Sequence, residues 1–323
     1  MSLRATTVTV TYRSKSTIEG ALLPLESMAH SGVAECVVVD NSSDDATADV
    51  VEAKFPWVHL VRGEENVGFA RACNHGARLG AAPMILFLNP DASIDEKNLG
   101  ILCDFMEEHP RAAVVSPAQC GDAGELQQSR QFPTPFRILR AATLGTRGSV
   151  VITPGDAPRQ VEWVCGAVWL VRREAFEELG GFDSSFFMYF EETDFCLRAH
   201  KSGWETWVCG LSLARHSGAA SADLCGKRVV NRCITKYFYE SRFYYLLKHY
   251  GRVQAAMAEI GEIVILTLRA ATEVVFRRER RNFIGQRLKS PVLKVPAGAG
   301  VHDDVGAESP RILKATRKVD SDA

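Results

Sequence analysis

Short apolar runs alternate with helically spaced ones through the first 120 residues. Residues 6–11 are β-branched and strand-like, residues 36–39 form a second buried run, and residues 59–61 a third. Residues 85–88, Ile-Leu-Phe-Leu, carry nothing that could face water comfortably, so they predict a strand inside a sheet. Between these runs Ile18, Leu22, Leu25 and Met28 fall at helical spacing within residues 16–29. Ser42 and Ser43 offer caps for a helix running through Ala53. Residues 68–79 predict a helix of small residues, and residues 95–109 an amphipathic one built on Leu99, Leu102, Phe105 and Met106; a strand at 112–116 follows. Strand–helix alternation of this kind predicts an α/β fold, a mostly parallel sheet with helices on both faces.

From residue 121 to 158 the pattern weakens. Gly, Pro, Thr and Arg interrupt it, with one short helix expected near 136–144, so this stretch predicts a surface excursion such as a lid or acceptor loop. Residues 161–173, VEWVCGAVWLVRR, predict a long strand or hairpin, and 174–179 a short helix before the turn Gly180-Gly181-Phe182-Asp183. In residues 186–200, FFMYFEETDFCLRAH, an aromatic run gives way to three acids and a helix; residues 206–209 then read as a strand. A long helical pattern spans 253–289, with Arg269, Arg277, Arg278, Arg280, Arg281, Arg287 and Lys289 gathered toward its end. Glu259, Glu262 and Glu273 interrupt its apolar positions and exclude a membrane span. From Ser290 onward the composition predicts disorder.

A net charge of -1 argues against a nucleic-acid binder held by general electrostatics. The nine cysteines are odd in number and contain no C-x-x-C pair, so reduced thiols in a cytoplasm are expected. The first residues show no apolar secretory core. A cytosol-facing protein is the expectation.

The chemistry gathers at strand ends. The run at 85–88 stops on Asn89-Pro90-Asp91, where proline ends pairing and leaves Asp91 beyond the strand's carboxyl end. Asp91 is either part of an Asx-Pro turn or a carboxylate aimed at a metal held by a ligand's phosphates. Tyr12 and Asp40 also follow strand ends and should share that edge with Asp91, the edge where open α/β sheets bind ligands. Asp40 suits a turn in Asp-Asn-Ser-Ser, or an acceptor for a base N–H. Arg71 either solvates a helix face or reaches a diphosphate. No G-x-G-x-x-G follows the first strand, which disfavours a dinucleotide fold.

Glu191, Glu192 and Asp194 open a helix, where each acid gains roughly 0.3–1 kcal/mol from the macrodipole. Asp194 and Arg198 form an i,i+4 pair. Three acids beside so many aromatics exceed what helix stability asks for, and a carboxylate partly buried there suits a general base. Glu191 and Glu192, being adjacent, are expected to point different ways. His216 follows a strand before small residues; an Asp91 oxygen with a His216 nitrogen would suit Mg²⁺ or Mn²⁺, completed by diphosphate and water.

Seven stretches in order, VVVDNSSDDAT, ENVGFARACNHGARLG, LFLNPDASI, FPTPF, WVCGAVWLVRREAFEELGGFD, FFMYFEETDFCLRAHKSG and RHSG, resemble a family 2 glycosyltransferase of the GT-A fold. The likeness is strongest to its bacterial rhamnosyltransferase-like branch and extends to KYFYESRFYYLLKHYG. The resemblance implies a catalytic domain over residues 1–235, a helical region over 236–289 and a tail over 290–323. It implies that Tyr12, Asp40, Asn66, Arg71, Asn89 and Asp91 bind a nucleotide-diphosphate sugar, with Asp40 reading a pyrimidine. Asp91 and His216 would hold the metal, Glu192 would be the base with Glu191 and Asp194 in support, and Trp163 and Gly166 would lie on the acceptor side. Asn89 replaces the first aspartate of the family's D-x-D element, and Glu192 stands where aspartate is usual. The implied activity is inverting sugar transfer, dTDP-L-rhamnose being the expected donor, onto a polysaccharide or polyprenyl-diphosphate-linked glycan. A UDP-hexose or galactofuranose donor and a catalytically silent paralogue are the alternatives. The implied location is the inner face of the cell membrane, peripherally bound to an anionic surface.

Overall fold

The computed structural model describes residues 2–145, 148–217, 232–273 and 314–315. Its main sheet follows the order β3-β2-β1-β4-β10-β6-β11-β5. These strands are β1 (Ala5–Thr11), β2 (Ala34–Asp40), β3 (His59–Arg62), β4 (Met84–Leu88), β5 (Ala92–Ser93), β6 (Ala112–Cys120), β10 (Val168–Arg172) and β11 (Glu205–His216). Strands β1 to β4 pair in parallel, as do β6 and β11. β10 lies antiparallel between β4 and β6, and joins the two parallel sets. A separate two-stranded sheet pairs β7 (Gln128–Arg130) with β8 (Ser149–Val151); β9 (Arg159–Gln160) and β12 (Lys314–Ala315) are short additions to β11 and β3.

Every residue of β4 is buried, because a two-residue period sends alternate side chains into two cores. Ile85 and Phe87 face a core with Val8, Val37, Trp169 and Val171, covered by α4 (Phe69–Arg78), α7 (Arg173–Glu178), α8 (Glu191–Lys201) and α9 (Arg232–Glu273). Leu86 and Leu88 face the other core with Val38, Val168 and Leu170, covered by α1 (Ile18–Leu22), α2 (Glu26–His30), α3 (Thr47–Lys54) and α5 (Glu96–Glu108). Helices therefore lie on both faces, as the alternation predicts. Phe87, Trp169, Phe176, Phe182 and Phe195 stack in one aromatic cluster that fixes α8 against the sheet centre. Each such buried ring contributes roughly 1.5–3 kcal/mol of transfer free energy.

Several local expectations change. The helix expected over 16–29 breaks into α1, a 3₁₀ turn at Leu23–Leu25 and α2, because Pro24 has no N–H to donate. Ser42 and Ser43 do not cap α3; its N-cap is Ala46 in the left-handed region, φ 62°. Only residues 168–172 of the stretch 161–173 form a strand. The C-terminal helical region, α9 (Arg232–Glu273), is broken at Gly251, where φ is 80°, so its two halves fold on each other. Glu259 and Glu262 are buried in that fold-back, both paired with the guanidinium of Arg242, rather than interrupting an exposed face. The first half ends beside α8, and the second packs on α6 (Pro135–Leu144), with Gly261 facing Leu139. The basic cluster after Glu273 and the tail expected to be disordered lie outside the described residues, apart from β12.

Candidate functional site

A cavity of about 640 Å³ opens where β1 and β4 end and β10 begins. Tyr12, Asn66, Asn89, Asp91, Trp163, Gly166, Glu191 and Glu192 all line it. Asp40, Arg71, Asp194 and His216 do not.

The nucleotide-side residues divide into wall and support. Asp40 ends β2 as expected, but it is buried: Oδ1 accepts from Thr11 Oγ1 at 2.8 Å, and Oδ2 accepts from the Ser43 amide at 3.0 Å. Its neighbour Asn41 reaches the cavity instead. Asn41 Nδ2 donates to Asn66 Oδ1 at 2.8 Å, and Asn41 Oδ1 accepts from the Val67 amide at 3.0 Å, so two side-chain amides brace that wall. Sequence reasoning missed Asn41 beside its acidic neighbour. Arg71 is exposed outside the cavity, its Nε donating to the Ser184 carbonyl at 3.3 Å. Gly68 explains how α4 meets the aromatic run: with φ 88°, a Cβ there would lie 2.7 Å from the Phe187 carbonyl oxygen. The Phe69 amide donates to the same oxygen at 2.7 Å.

The acidic helix start is formed by strained backbone. Tyr189 and Phe190 both have φ 69°, a left-handed conformation uncommon outside glycine. Phe190 is the N-cap residue, so Glu191 and Glu192 form the first turn of α8 at the cavity. The two glutamates do not point different ways. At a helix N-terminus side chains lean past the helix end, and both carboxyls enter one cavity and hydrogen-bond to each other. Burial, then the neighbouring Glu192 charge, pushes the Glu191 carboxyl well above the usual range. Burial also raises Glu192, to about 7, while hydrogen bonds, that of Glu191 among them, pull it partly back. Glu191 therefore holds the proton and Glu192 is the more acidic member. Gly166 leaves room beside this pair, since a Cβ there would sit 3.6 Å from Glu192 Cβ and Cγ.

Asp194 points the other way, into the joint between α8 and α9. Its carboxylate accepts from Arg198 Nε, Lys248 Nζ and His249 Nε2, each at 2.7 Å. Although burial opposes it, these donors hold its pKa at about 2. The i,i+4 pair with Arg198 is present, extended by two partners from α9.

The short β5 brings Asp91 to His216. His216 pairs with Ala92 across β5 and β11, and the Ser217 amide donates to the Asp91 carbonyl at 2.9 Å. His216 Nε2 lies 3.4 Å from Asp91 Oδ1, too long for a good hydrogen bond, and this buried nitrogen has no hydrogen-bond partner. An imidazole nitrogen beside a carboxylate oxygen at a cavity edge fits one face of a Mg²⁺ or Mn²⁺ site. Among the described residues no third His, Cys, Asp or Glu completes a set, so further ligands would come from a substrate and water.

A curled, mostly parallel sheet with an acid-lined cavity at its strand ends defines a GT-A-like fold. Residues 6–180 match Glycosyl transferase family 2, and the chain belongs to that family. It is 30% identical over 219 residues, 61% of this chain and 70% of the relative, to an N-acetylglucosaminyl-diphospho-decaprenol L-rhamnosyltransferase of Mycobacterium tuberculosis. It is 23% identical over 256 residues, 78% of this chain and 83% of the relative, to the dTDP-rhamnosyl transferase RfbF of Shigella flexneri. Among solved structures it resembles the mannosyltransferase PcManGT of Pyrobaculum calidifontis in complex with GDP-Man and Mn²⁺, with a TM-score of 0.57 and 15% identity, covering 91% of this chain and 86% of that one. That likeness concerns the fold.

Proposed function

We propose that this chain moves a sugar from a nucleoside diphosphate onto a glycan hydroxyl in one displacement that inverts the anomeric carbon. The observation that carries the reading is the Glu191–Glu192 pair, a half-buried carboxylate poised near neutral pH in the same cavity as Asp91. Glu192 takes the proton of the acceptor hydroxyl as that oxygen attacks; Glu191 stays protonated and holds Glu192 by its hydrogen bond. Tyr12, Asn41 and Asn66 bound the nucleotide end, Asp40 fixes the loop that carries Asn41, and Arg71 braces the Ser184 segment. Asp91 and His216 would hold Mg²⁺ or Mn²⁺, which supplies positive charge opposite a departing diphosphate. Trp163 and Gly166 lie toward the acceptor.

Relatives named as rhamnosyltransferases, one for a decaprenol-linked substrate, favour dTDP-L-rhamnose as donor and a polyprenyl-diphosphate-linked glycan as acceptor. A peripheral seat on the inner face of a membrane fits this acceptor. No helix among the described residues is long and apolar enough to cross a membrane, yet Val253, Met257, Ile260, Val264 and Leu268 of α9 are exposed.

The test is Glu192→Gln assayed with dTDP-L-rhamnose and UDP-sugars. Loss of a general base lowers turnover by about 10²–10⁴ while donor binding persists. Turnover at the wild-type rate by a folded Glu192→Gln protein would refute the role. A wild-type protein that binds nucleotide sugar but neither transfers nor hydrolyses it would instead be a silent paralogue.

A further inference from the structure

The segment after β6 has no apolar periodicity, yet it returns one side chain to the back of His216. The Gly121 amide donates to the Glu125 carbonyl and the Gln127 amide to the Gln119 carbonyl, closing a hairpin off the end of β6. Since β6 pairs with β11, this hairpin sets Gln127 beside the last residue of β11. Gln127 Nε2 lies 2.6 Å from His216 Nδ1. Two buried polar atoms near this contact lack hydrogen-bond partners: Gln127 Oε1 and His216 Nε2, the nitrogen that faces Asp91.

These facts constrain the imidazole. An amide nitrogen can only donate, so Nδ1 accepts, and in the neutral ring the hydrogen sits on Nε2, toward Asp91. A cation at Asp91 and His216 needs the Nε2 lone pair. The ring hydrogen then sits on Nδ1 and needs an acceptor. Gln127 carries one on the other end of the same amide. A half-turn about its last side-chain bond brings Oε1 to Nδ1 with no change of shape. A small cavity of about 10 Å³, whose walls include Ser116, Gln119, Gln127 and Ser129 beside Pro117, Ile152 and Val208, adjoins the amide. It can take one water against whichever end faces away from the histidine.

We infer that Gln127 is a positioning residue that selects the tautomer of His216, donating to Nδ1 when Nε2 faces Asp91 alone and accepting from Nδ1 when Nε2 is given to a divalent cation. The inference rests on the reading of Asp91 and His216 as the cation site. A glutamine suits both states because it can donate or accept at one place, whereas a carboxylate fixes the cation-ready state and an apolar side chain supports neither.

The test uses the full chain labelled with ¹⁵N in histidine, long-range ¹H–¹⁵N spectra to locate the ring hydrogen, and Mn²⁺ binding followed by electron paramagnetic resonance with dTDP, and in parallel UDP, present. Signals of His216 are those missing in His216→Asn. In metal-free wild-type protein the hydrogen should be on Nε2, and with Mg²⁺ and the nucleoside diphosphate that binds on Nδ1. Gln127→Met should lose the metal-free preference and weaken Mn²⁺ by about 10–100-fold, the usual cost of losing such an outer partner. Gln127→Glu should hold hydrogen on Nδ1 before metal is added and bind Mn²⁺ at least as tightly as wild type. A Gln127→Met protein with the wild-type tautomer, or with Mn²⁺ affinity within about twofold of wild type, overturns the inference. If the wild-type protein takes no Mn²⁺ at all, the cation site itself falls. The metal-free tautomer comparison still decides whether Gln127 sets the ring.

Discussion

Glu191→Leu separates the two glutamates most sharply. In the wild-type protein the Glu191 carboxyl, kept protonated first by burial, donates to Glu192 and draws its pKa down toward about 7. Leucine fills similar space and cannot donate. A hydrogen bond to a charged group contributes about 1.5–3 kcal/mol, and one pKa unit corresponds to about 1.4 kcal/mol, so Glu192 should rise by about 1–2 units. The base must be ionised to work, so activity rises with pH through the pKa of Glu192. At pH 7 the ionised fraction should fall from about one half to about 1–10%, lowering kcat/KM roughly 5–50-fold, with recovery above about pH 9. Glu191→Gln keeps a donor at the same place and should stay close to wild type. The assay is nucleoside diphosphate release from donor and acceptor, measured from about pH 5.5 to about 9.5. A Glu191→Leu profile with the wild-type midpoint, or a loss equal at every pH, refutes proton holding by Glu191.

Two other perturbations test parts of the structure away from this pair. Asp194 sits in the folded protein at about 2 against an ordinary 3.8, so its charge contributes about 2 kcal/mol, fully present above about pH 4 and lost as pH falls toward 2. Asp194→Asn should therefore lower Tm by roughly 3–5 °C near neutral pH, and the gap to wild type should close on acidification. A gap that stays constant down to about pH 2.5 would assign the loss to packing instead. Met257→Glu with Val264→Glu should abolish sedimentation with anionic vesicles while leaving donor hydrolysis intact; a wild-type protein that does not sediment with them removes the membrane seat.

The strand pattern was readable wherever one period dominated. Residues 85–88 are buried on both faces, and their run ending on Asn89-Pro90-Asp91 located both β4 and a cavity residue. Failure came where tertiary contacts replaced periodicity. The apolar residues of 161–167 line a cavity and pack in a loop, so their resemblance to a strand carried no ladder. β11 runs on to His216 beyond a register shift between Cys209 and Leu213, and that shift hid its second half. Glu259 and Glu262 looked like breaks in an apolar face because their partner, Arg242, lies on the other half of α9, across the Gly251 kink. Asp40 and Asp194 are expected from the sequence beside the ligand, but both turn away from the cavity onto protein donors, and a sequence does not say which way a carboxylate turns. Asn41 and Gln127 had no signal of their own; each matters through a neighbour brought to it by the sheet.

The antiparallel insertion of β10 has a consequence for how the chain is made. Ribosomal synthesis delivers β1 to β4 and their helices first, then β6, but the strand that belongs between β4 and β6 arrives about 80 residues after β4. Until Val168–Arg172 emerges, the nascent sheet ends on β4, whose five residues are all apolar and whose outer backbone groups are unpaired. The chain thus carries a sticky, unfinished edge through about a quarter of its own synthesis. The segment encoded between β6 and β10 lengthens that interval, so the loop walls that this segment gives the cavity are obtained at the cost of a longer exposure to misassembly.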